Sequence, residues 1–386
     1  MDGFDLYQAI GGTATCRRLA EVFYARVKRD PVLRPLFPGK TLKCAIEEFS
    51  AFLAQLLGGP AEDAQRRWWL SLRESHRRFK IGQTERTAWM ENMLAALDEV
   101  PLEESARRAL RDFFDRSSAY VAKDVPAGPI ADDAGGPPGD NIHQELSRRW
   151  SAQRTLDEAV AAVHGGAAER AVALAEGSTL QGYFERNQSV LAALLAQMIA
   201  WGDDTLLDWV RHNLLAHPGL AQERYSGRTL LHAAAAAGNV AMVELLLHLG
   251  ADPNVTDGGS HTPLYSVANQ CKMSGAANVV HTLVQAGARV DACDGVKRCT
   301  ALHMAARRDN VEVAAALLDN GAELEARDSL GETPLRRAVN CNKTAVARLL
   351  LARGSDLQSK GSKGLDPLLA ARTTAMRQLL QSHRQT

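Results

Sequence analysis

A single histidine, His76, stands among the first 123 residues, in the run Leu72-Arg-Glu-Ser-His76-Arg-Arg-Phe79-Lys-Ile81-Gly82. Imidazole titrates near neutrality and binds metal ions through a neutral nitrogen, so the chemistry of this segment starts there. Taken alone, a solitary histidine is more often a solvated or core-edge residue than a ligand. Its company carries more weight: of the 21 Phe, Tyr and Trp residues, 14 precede residue 124. Helix faces so rich in rings suit a flat apolar guest better than one another. Arg73, Arg77, Arg78 and Lys80 flank His76 and serve equally well as partners for an anionic group or as a solvated basic face.

Elsewhere the reactive residue types are dispersed. Six cysteines (Cys16, Cys44, Cys271, Cys293, Cys299, Cys341) form no Cys-x-x-Cys pair, which argues against a zinc ribbon, a thioredoxin-type site or a disulfide framework. His217, His261 and His281 lack the spacing of a zinc site. Residues 142–386 assemble no nucleophile with its base, no phosphate-cradling glycine loop and no paired-carboxylate site, so no active site is expected there. The chain carries 45 Lys+Arg against 45 Asp+Glu, with +3 on residues 1–123 and −3 on the rest, so a nucleic-acid partner is not indicated. No apolar run approaches the ~18 residues that span a bilayer, and the N-terminus MDGFDLYQAI lacks a secretory layout; a cytoplasmic, non-membrane protein is expected.

The elements that must position His76 are short helices. Thr13 is placed to cap a helix with a Leu19, Val22, Phe23, Val27 stripe running to Asp30-Pro31. A second carries Ala45, Phe49, Phe52, Leu53 and Leu56 before Gly58-Gly59-Pro60. Thr84 opens a third with Trp89, Met93, Leu94 and Leu97, and Ser105–Ala122 supplies a fourth with Leu110, Phe113 and Phe114. The chain then changes character. Residues 124–141, DVPAGPIADDAGGPPGDN, hold four Pro, four Gly and four Asp without a basic residue and read as a pliable linker. Residues 142–386 read as one Ala/Leu-rich helical body, and strand signals are weak throughout.

The second half of that body repeats. Thr229-Leu-Leu-His232, Thr262-Pro-Leu-Tyr265, Thr300-Ala-Leu-His303, Thr333-Pro-Leu-Arg336 and Asp366-Pro-Leu-Leu369 open units offset by 33, 38, 33 and 33 residues. Four units close on a second helix and a glycine, at Gly250, Gly287, Gly321 and Gly354. Proline in the first turn costs no hydrogen bond. From about Tyr225 onward, the chain thus resembles an ankyrin array, whose period is 33 residues. The extra residues of the second unit fall at Asn269–Gly275. Residues 142–224, with the partial echo Trp201-Gly202-Asp203…Leu214-Leu215, read as divergent repeats and an N-terminal cap. His232 and His303 take the fourth position of the opening motif, where a structural bond between neighbouring turns is expected. Such an array offers a long surface suited to a protein partner.

Residues 3–122 show an ordered series of motifs: Tyr7-Gln-Ala-Ile-Gly11-Gly12, Phe23-Tyr24, Asp30-Pro31, Leu36-Phe37-Pro38, Phe52-Leu53, Gly58-Gly59-Pro60, His76, and Glu85-Arg-Thr-Ala-Trp89-Met90. In order and spacing this segment resembles a truncated haemoglobin, and specifically the second group of that family, which carries a tryptophan at the position of Trp89. The resemblance implies a two-over-two helical globin at 1–123; with the flexible linker at 124–141, the divergent repeats at 142–224 and the ankyrin solenoid at 225–386, an all-α fold is expected. It implies haem b as cofactor, with His76 as the proximal ligand to iron. Tyr24 and Trp89 match the residues that donate hydrogen bonds to a ligand on the iron, and Phe37 matches an aromatic wedged against the porphyrin. Ala45 falls where other globins often hold a distal histidine; Phe49, Phe52 and Phe79 complete the implied pocket lining. Trp68-Trp69 has no counterpart in the pattern and is expected either on the haem's proximal side or against the repeats.

The function that follows is reversible binding of O2, NO or CO at an iron held by His76, with the ankyrin repeats tying the globin to a protein partner. A nitric oxide dioxygenase or peroxidase would need an external reductase, because the chain holds no flavin or nicotinamide motif. A gas or redox sensor would need two states with different contacts, and a pliable linker transmits no rigid push. A haem-free ankyrin scaffold is the blandest alternative, disfavoured by the joint presence of His76, Phe37, Tyr24 and Trp89.

Overall fold

The computed structural model describes residues 5–37, 39, 41–60, 70–77, 79–122, 140–271, 275–361 and 364–384. Trp68, Trp69, Arg78 and nearly all of the 124–141 segment lie outside them. Among the described residues every regular element is helical, and isolated bridges occur at Tyr225–Arg228 and Cys293–Thr300. The chain divides into two compact units, residues 1–190 and 191–386.

The first unit opens with α1 (Leu6–Ala9), capped by Asp5, and α2 (Gly12–Val27). The expected cap at Thr13 is not used. Instead Gly11, in the left-handed region at φ +98°, turns the corner ahead of α2, and the Thr13 hydroxyl pairs with the Tyr7 phenol at 2.5 Å. α3 (Lys43–Leu57) ends at Gly58, whose φ of +87° suits glycine. A side chain on Gly59 would meet the Tyr7 ring at 2.7 Å, so the second glycine is required by close packing. α4 (Leu72–His76) is followed by α5 (Gln83–Glu99), opened by a bond from the Gly82 N–H to the Glu85 carboxylate at 2.8 Å. α6 (Glu104–Val121) closes the segment.

The apolar stripes meet as their periodicity requires. α2 packs on α3 and on α5, and α5 on α6, giving two helices over two. Leu19, Phe23, Val27, Met93, Leu97, Leu110, Phe113 and Phe114 are all buried in one core.

The next helix joins that same core. α7 (Asn141–His164), capped by Asp140, places Ile142, Leu146 and Trp150 among the core residues of the preceding helices. Trp150 stands edge-on to Phe113 at 5.6 Å and to Tyr120 at 5.5 Å. Composition associates α7 with the repeats, whereas packing places it in the first unit. The helices Ala168–Glu176 and Ser178–Phe184 fold back on α7.

In the second unit, five helix pairs begin at Leu230, Pro263, Ala301, Pro334 and Pro367, each preceded by the Thr or Asp of its opening motif. Gly250, Gly287, Gly321 and Gly354 take φ between +86° and +93° after the second helices. In the second pair the first helix ends at Gln270 and the second begins at Ala276, whereas in the first pair they end at Ala237 and begin at Val240.

Candidate functional site

α4 is only 5 residues long and ends on His76. Ser71 caps it, its hydroxyl accepting the Glu74 N–H at 3.1 Å. His76 Nδ1 lies 2.8 Å from the Leu72 carbonyl and 2.8 Å from Ser75 Oγ, and Ser75 Oγ donates to the same carbonyl at 2.7 Å. A carbonyl only accepts, so Nδ1 carries a proton and, in the neutral ring, the lone pair belongs to Nε2. This tautomer suits metal binding through Nε2.

A continuous chain of rings runs from His76 into the core. His76 is 6.2 Å from Phe79, Phe79 is 6.2 Å from Phe37, and Phe37 stands edge-on to Tyr24 at 5.4 Å. Tyr24 is 6.2 Å from Phe49, which stacks with Phe52 at 6.4 Å. Through Phe23, 5.0 Å from Tyr24 and 5.3 Å from Trp89, the chain reaches α5. Ala45, Phe49 and Phe52 share one face of α3 by their i, i+4, i+7 spacing and pack against the core while remaining half-buried. Thus the structure brings the ring-bearing candidates together, with Ala45 one turn ahead of Phe49.

Two local devices hold this arrangement. Asp30 accepts the N–H groups of Val32 at 2.9 Å and Leu33 at 2.8 Å, and the Asn92 amide of α5 at 2.7 Å. Burial raises its carboxyl pKa, but these donors outweigh burial and hold it below the usual range. Arg34 then donates to the carbonyls of Phe37 at 2.5 Å and Gly39 at 2.6 Å, fixing the loop that carries the Phe37 ring. Tyr24 is 8% exposed; burial, reinforced by Glu48, pushes its phenol well above the ordinary value. It therefore stays protonated and keeps its donor.

The basic residues near His76 divide. Arg73 lays its guanidinium 3.9 Å from the centre of the Tyr120 ring and donates to the Tyr120 carbonyl at 3.4 Å. Arg77 and Lys80 are exposed.

The half-buried rings Phe37, Phe49, Phe52, Phe79 and Trp89 are large apolar surfaces left incompletely covered around an imidazole of the metal-binding tautomer. That combination fits a flat apolar metal cofactor. Comparison with known proteins agrees. Residues 5–122 match the family model for bacterial-like globins. Over 104 residues the chain is 36% identical to the group 2 truncated hemoglobin YjbI of Bacillus subtilis (strain 168), spanning 27% of this chain and 77% of that protein. The chain belongs to the group 2 truncated haemoglobins.

Beyond the truncated haemoglobin domain, residues 226–258 match the ankyrin repeat model and residues 264–361 the model for three ankyrin copies. The chain is 31% identical over 124 residues to human ankyrin repeat and SOCS box protein 3, covering 32% of this chain and 23% of that protein. It is 34% identical over 131 residues to human ankyrin repeat and SOCS box protein 16, covering 34% and 28%. The chain thus spans less than a third of these ankyrin relatives. Among its described residues no helix is long and apolar enough to cross a membrane.

His232 and His303 bridge neighbouring repeats. His232 Nδ1 accepts from the Thr229 N–H at 3.2 Å, and Nε2 donates to the His261 carbonyl at 3.0 Å, just before the next opening threonine. His303 repeats this with Thr300 and the Glu332 carbonyl at 2.9 Å. Arg336 performs the same bridge in the fourth unit, donating to the Leu365 carbonyl at 2.6 Å while paired with Glu332 at 2.7 Å.

Reading along the sequence missed Asp157 and Gln153 of α7, which contact the segment bearing His76. Their signal was available: Leu146, Trp150, Gln153, Asp157 and Val160 share one helical stripe, and two polar residues interrupt it.

Proposed function

We propose that residues 5–122 hold haem b through His76 Nε2 and bind a diatomic gas, dioxygen above all, while the ankyrin repeats tether this domain to a protein partner. The observation that carries the reading is the His76 Nδ1–H bond to the Leu72 carbonyl, beside the half-buried rings of Phe37, Phe49, Phe52, Phe79 and Trp89. Bound haem would supply the iron to which the gas binds.

The remaining roles belong to the chain. His76 presents a neutral imidazole, and its second-sphere bond to Leu72 orients the ring and raises its basicity. Phe37, Phe49, Phe52 and Phe79 bury the porphyrin faces and exclude water. Tyr24 keeps its proton by burial and donates a hydrogen bond to the polar end of the gas. Trp89 Nε1–H serves as the second donor, and the small Ala45 leaves an entry path.

Absorption spectra of the full chain, reduced and then exposed to carbon monoxide, test the reading beside His76→Ala. An intense near-ultraviolet haem band that shifts with carbon monoxide, and is lost or altered in the variant, is expected. A haem-reconstituted protein without that band refutes haem binding.

A further inference from the structure

The region that matches the globin family ends at residue 122, yet the helix bearing His76 is held from beyond that boundary. With only 5 residues, α4 is far shorter than the ~12 residues at which an isolated helix becomes even marginally stable, so outside contacts must hold it. Its first three N–H groups have no partner within the helix. Ser71 takes that of Glu74. Those of Leu72 and Arg73 go to Asp157 of α7, to Oδ1 at 3.0 Å and Oδ2 at 3.2 Å. Gln153, one turn earlier on α7, donates to Asp157 Oδ1 at 2.8 Å and to the Leu70 carbonyl at 2.8 Å, fixing the entry to α4 as well. At the end of α7, His164 Nδ1 meets the Glu74 carboxylate at 2.5 Å.

Asp157 is 2% exposed, an expensive place for a carboxylate unless its oxygens are occupied. They accept three N–H donors, two from the start of the helix that ends on His76. A single residue joins the two ends of this connection, since the Leu72 N–H donates to Asp157 and the Leu72 carbonyl accepts from His76 Nδ1. A carboxylate at a helix N-terminus also complements the helix dipole.

We infer that Asp157, seated by Gln153, is a positioning residue for His76, and that α7 is an integral part of the haem site although it lies outside the globin segment. The inference rests on the haem reading for its spectroscopic consequence, but its geometric half concerns α4 alone.

The test uses the full chain with Asp157→Leu, which removes both acceptors, Asp157→Asn, which retains one oxygen, and Leu156→Ala, which loosens the packing of α7 without touching α4's bonds. The first readout is amide hydrogen exchange across residues 70–77 in the haem-free protein. The second is the iron–histidine stretching band in the ferrous, ligand-free, haem-loaded protein. Asp157→Leu is expected to speed exchange at Leu72 and Arg73 by about tenfold or more and to shift the band. The Asn variant should fall between, and Leu156→Ala should leave both readouts near the parent. If Asp157→Leu does not fold, the Asn variant carries both comparisons. Unchanged exchange and an unmoved band overturn the inference. So does an equal effect from Leu156→Ala, which would make packing the cause. Absence of an iron–histidine band in the parent defeats the haem reading instead, while the exchange data still decide whether Asp157 holds α4.

Discussion

At the scale of the residue, function turns on which atoms carry protons. Two constraints set this for the proposed site: the Leu72 carbonyl makes His76 protonated at Nδ1, and burial keeps Tyr24 a phenol. A bond from that phenol to a bound gas acts on its escape more than on its entry. Tyr24→Phe is therefore expected to raise the dioxygen dissociation rate by roughly 10- to 100-fold, the worth of one buried hydrogen bond to a partly charged acceptor. Stopped-flow displacement by carbon monoxide measures it, and an unchanged rate would remove Tyr24 from the site. The types and positions of His76, Tyr24, Phe37 and Trp89 were legible in the sequence because they sit in local motifs. Arg34 and Asn92, which hold Phe37 and its loop, were not, since nothing in a linear pattern says where a guanidinium or amide will reach.

At the scale of the element, helix lengths follow from capping and stripe periodicity, and the departures are instructive. The Gly11-Gly12 corner displaced the cap expected at Thr13 because left-handed glycine turned the chain first. In the repeats, His232 and His303 each accept the N–H of their own opening threonine at Nδ1 and donate from Nε2 to the next unit, so protonation at Nδ1 removes the first bond, keeps the second and leaves a charge buried. Burial, opposed by the bond to the His261 carbonyl, lowers the His232 pKa from 6.5 to about 4, and burial lowers that of His303 as well. A folded pKa below the unfolded one means that the unfolded chain takes up the proton first. Stability from His232 is complete above pH 6.5 and is lost as the pH falls towards 4, a difference of about 3 kcal/mol at the acid end. Urea midpoints of the repeat unit should fall between pH 7 and pH 5, with a shallower fall in His232→Asn. Equal slopes in the two proteins would contradict the assignment.

At the scale of the whole molecule, the change of composition at residues 124–141 and the limits of the packed units do not coincide. α7 follows that stretch in sequence but shares its core with the globin helices, through Trp150 above all. Removing that ring should cost about 3–5 kcal/mol in the unit that carries the haem. Trp150→Ala is thus expected to lower the unfolding midpoint followed by haem absorbance, while a repeat-unit probe such as Trp209 fluorescence should hold its midpoint. The converse result would return α7 to the repeats. From beyond that stretch of sequence, α7 supplies direct contacts to the helix carrying His76.

By itself the sequence determined what depends on near neighbours: helix stripes, glycine turns, the 33-residue repeat, and the globin motifs around His76. These are short-range regularities, with the physical cause and its signature within a few positions of each other. Only the tertiary structure decided that Asp157 would cap α4, that Arg73 would turn to Tyr120, and that Arg336 would replace a histidine between repeats. Each pairs with a group 29 to 85 residues away, and Asp157 and Arg336 are buried whereas Arg73 is exposed. Burial makes an unmet hydrogen bond costly, so the fold must satisfy Asp157 and Arg336, but sequence distance does not show which partner will do so.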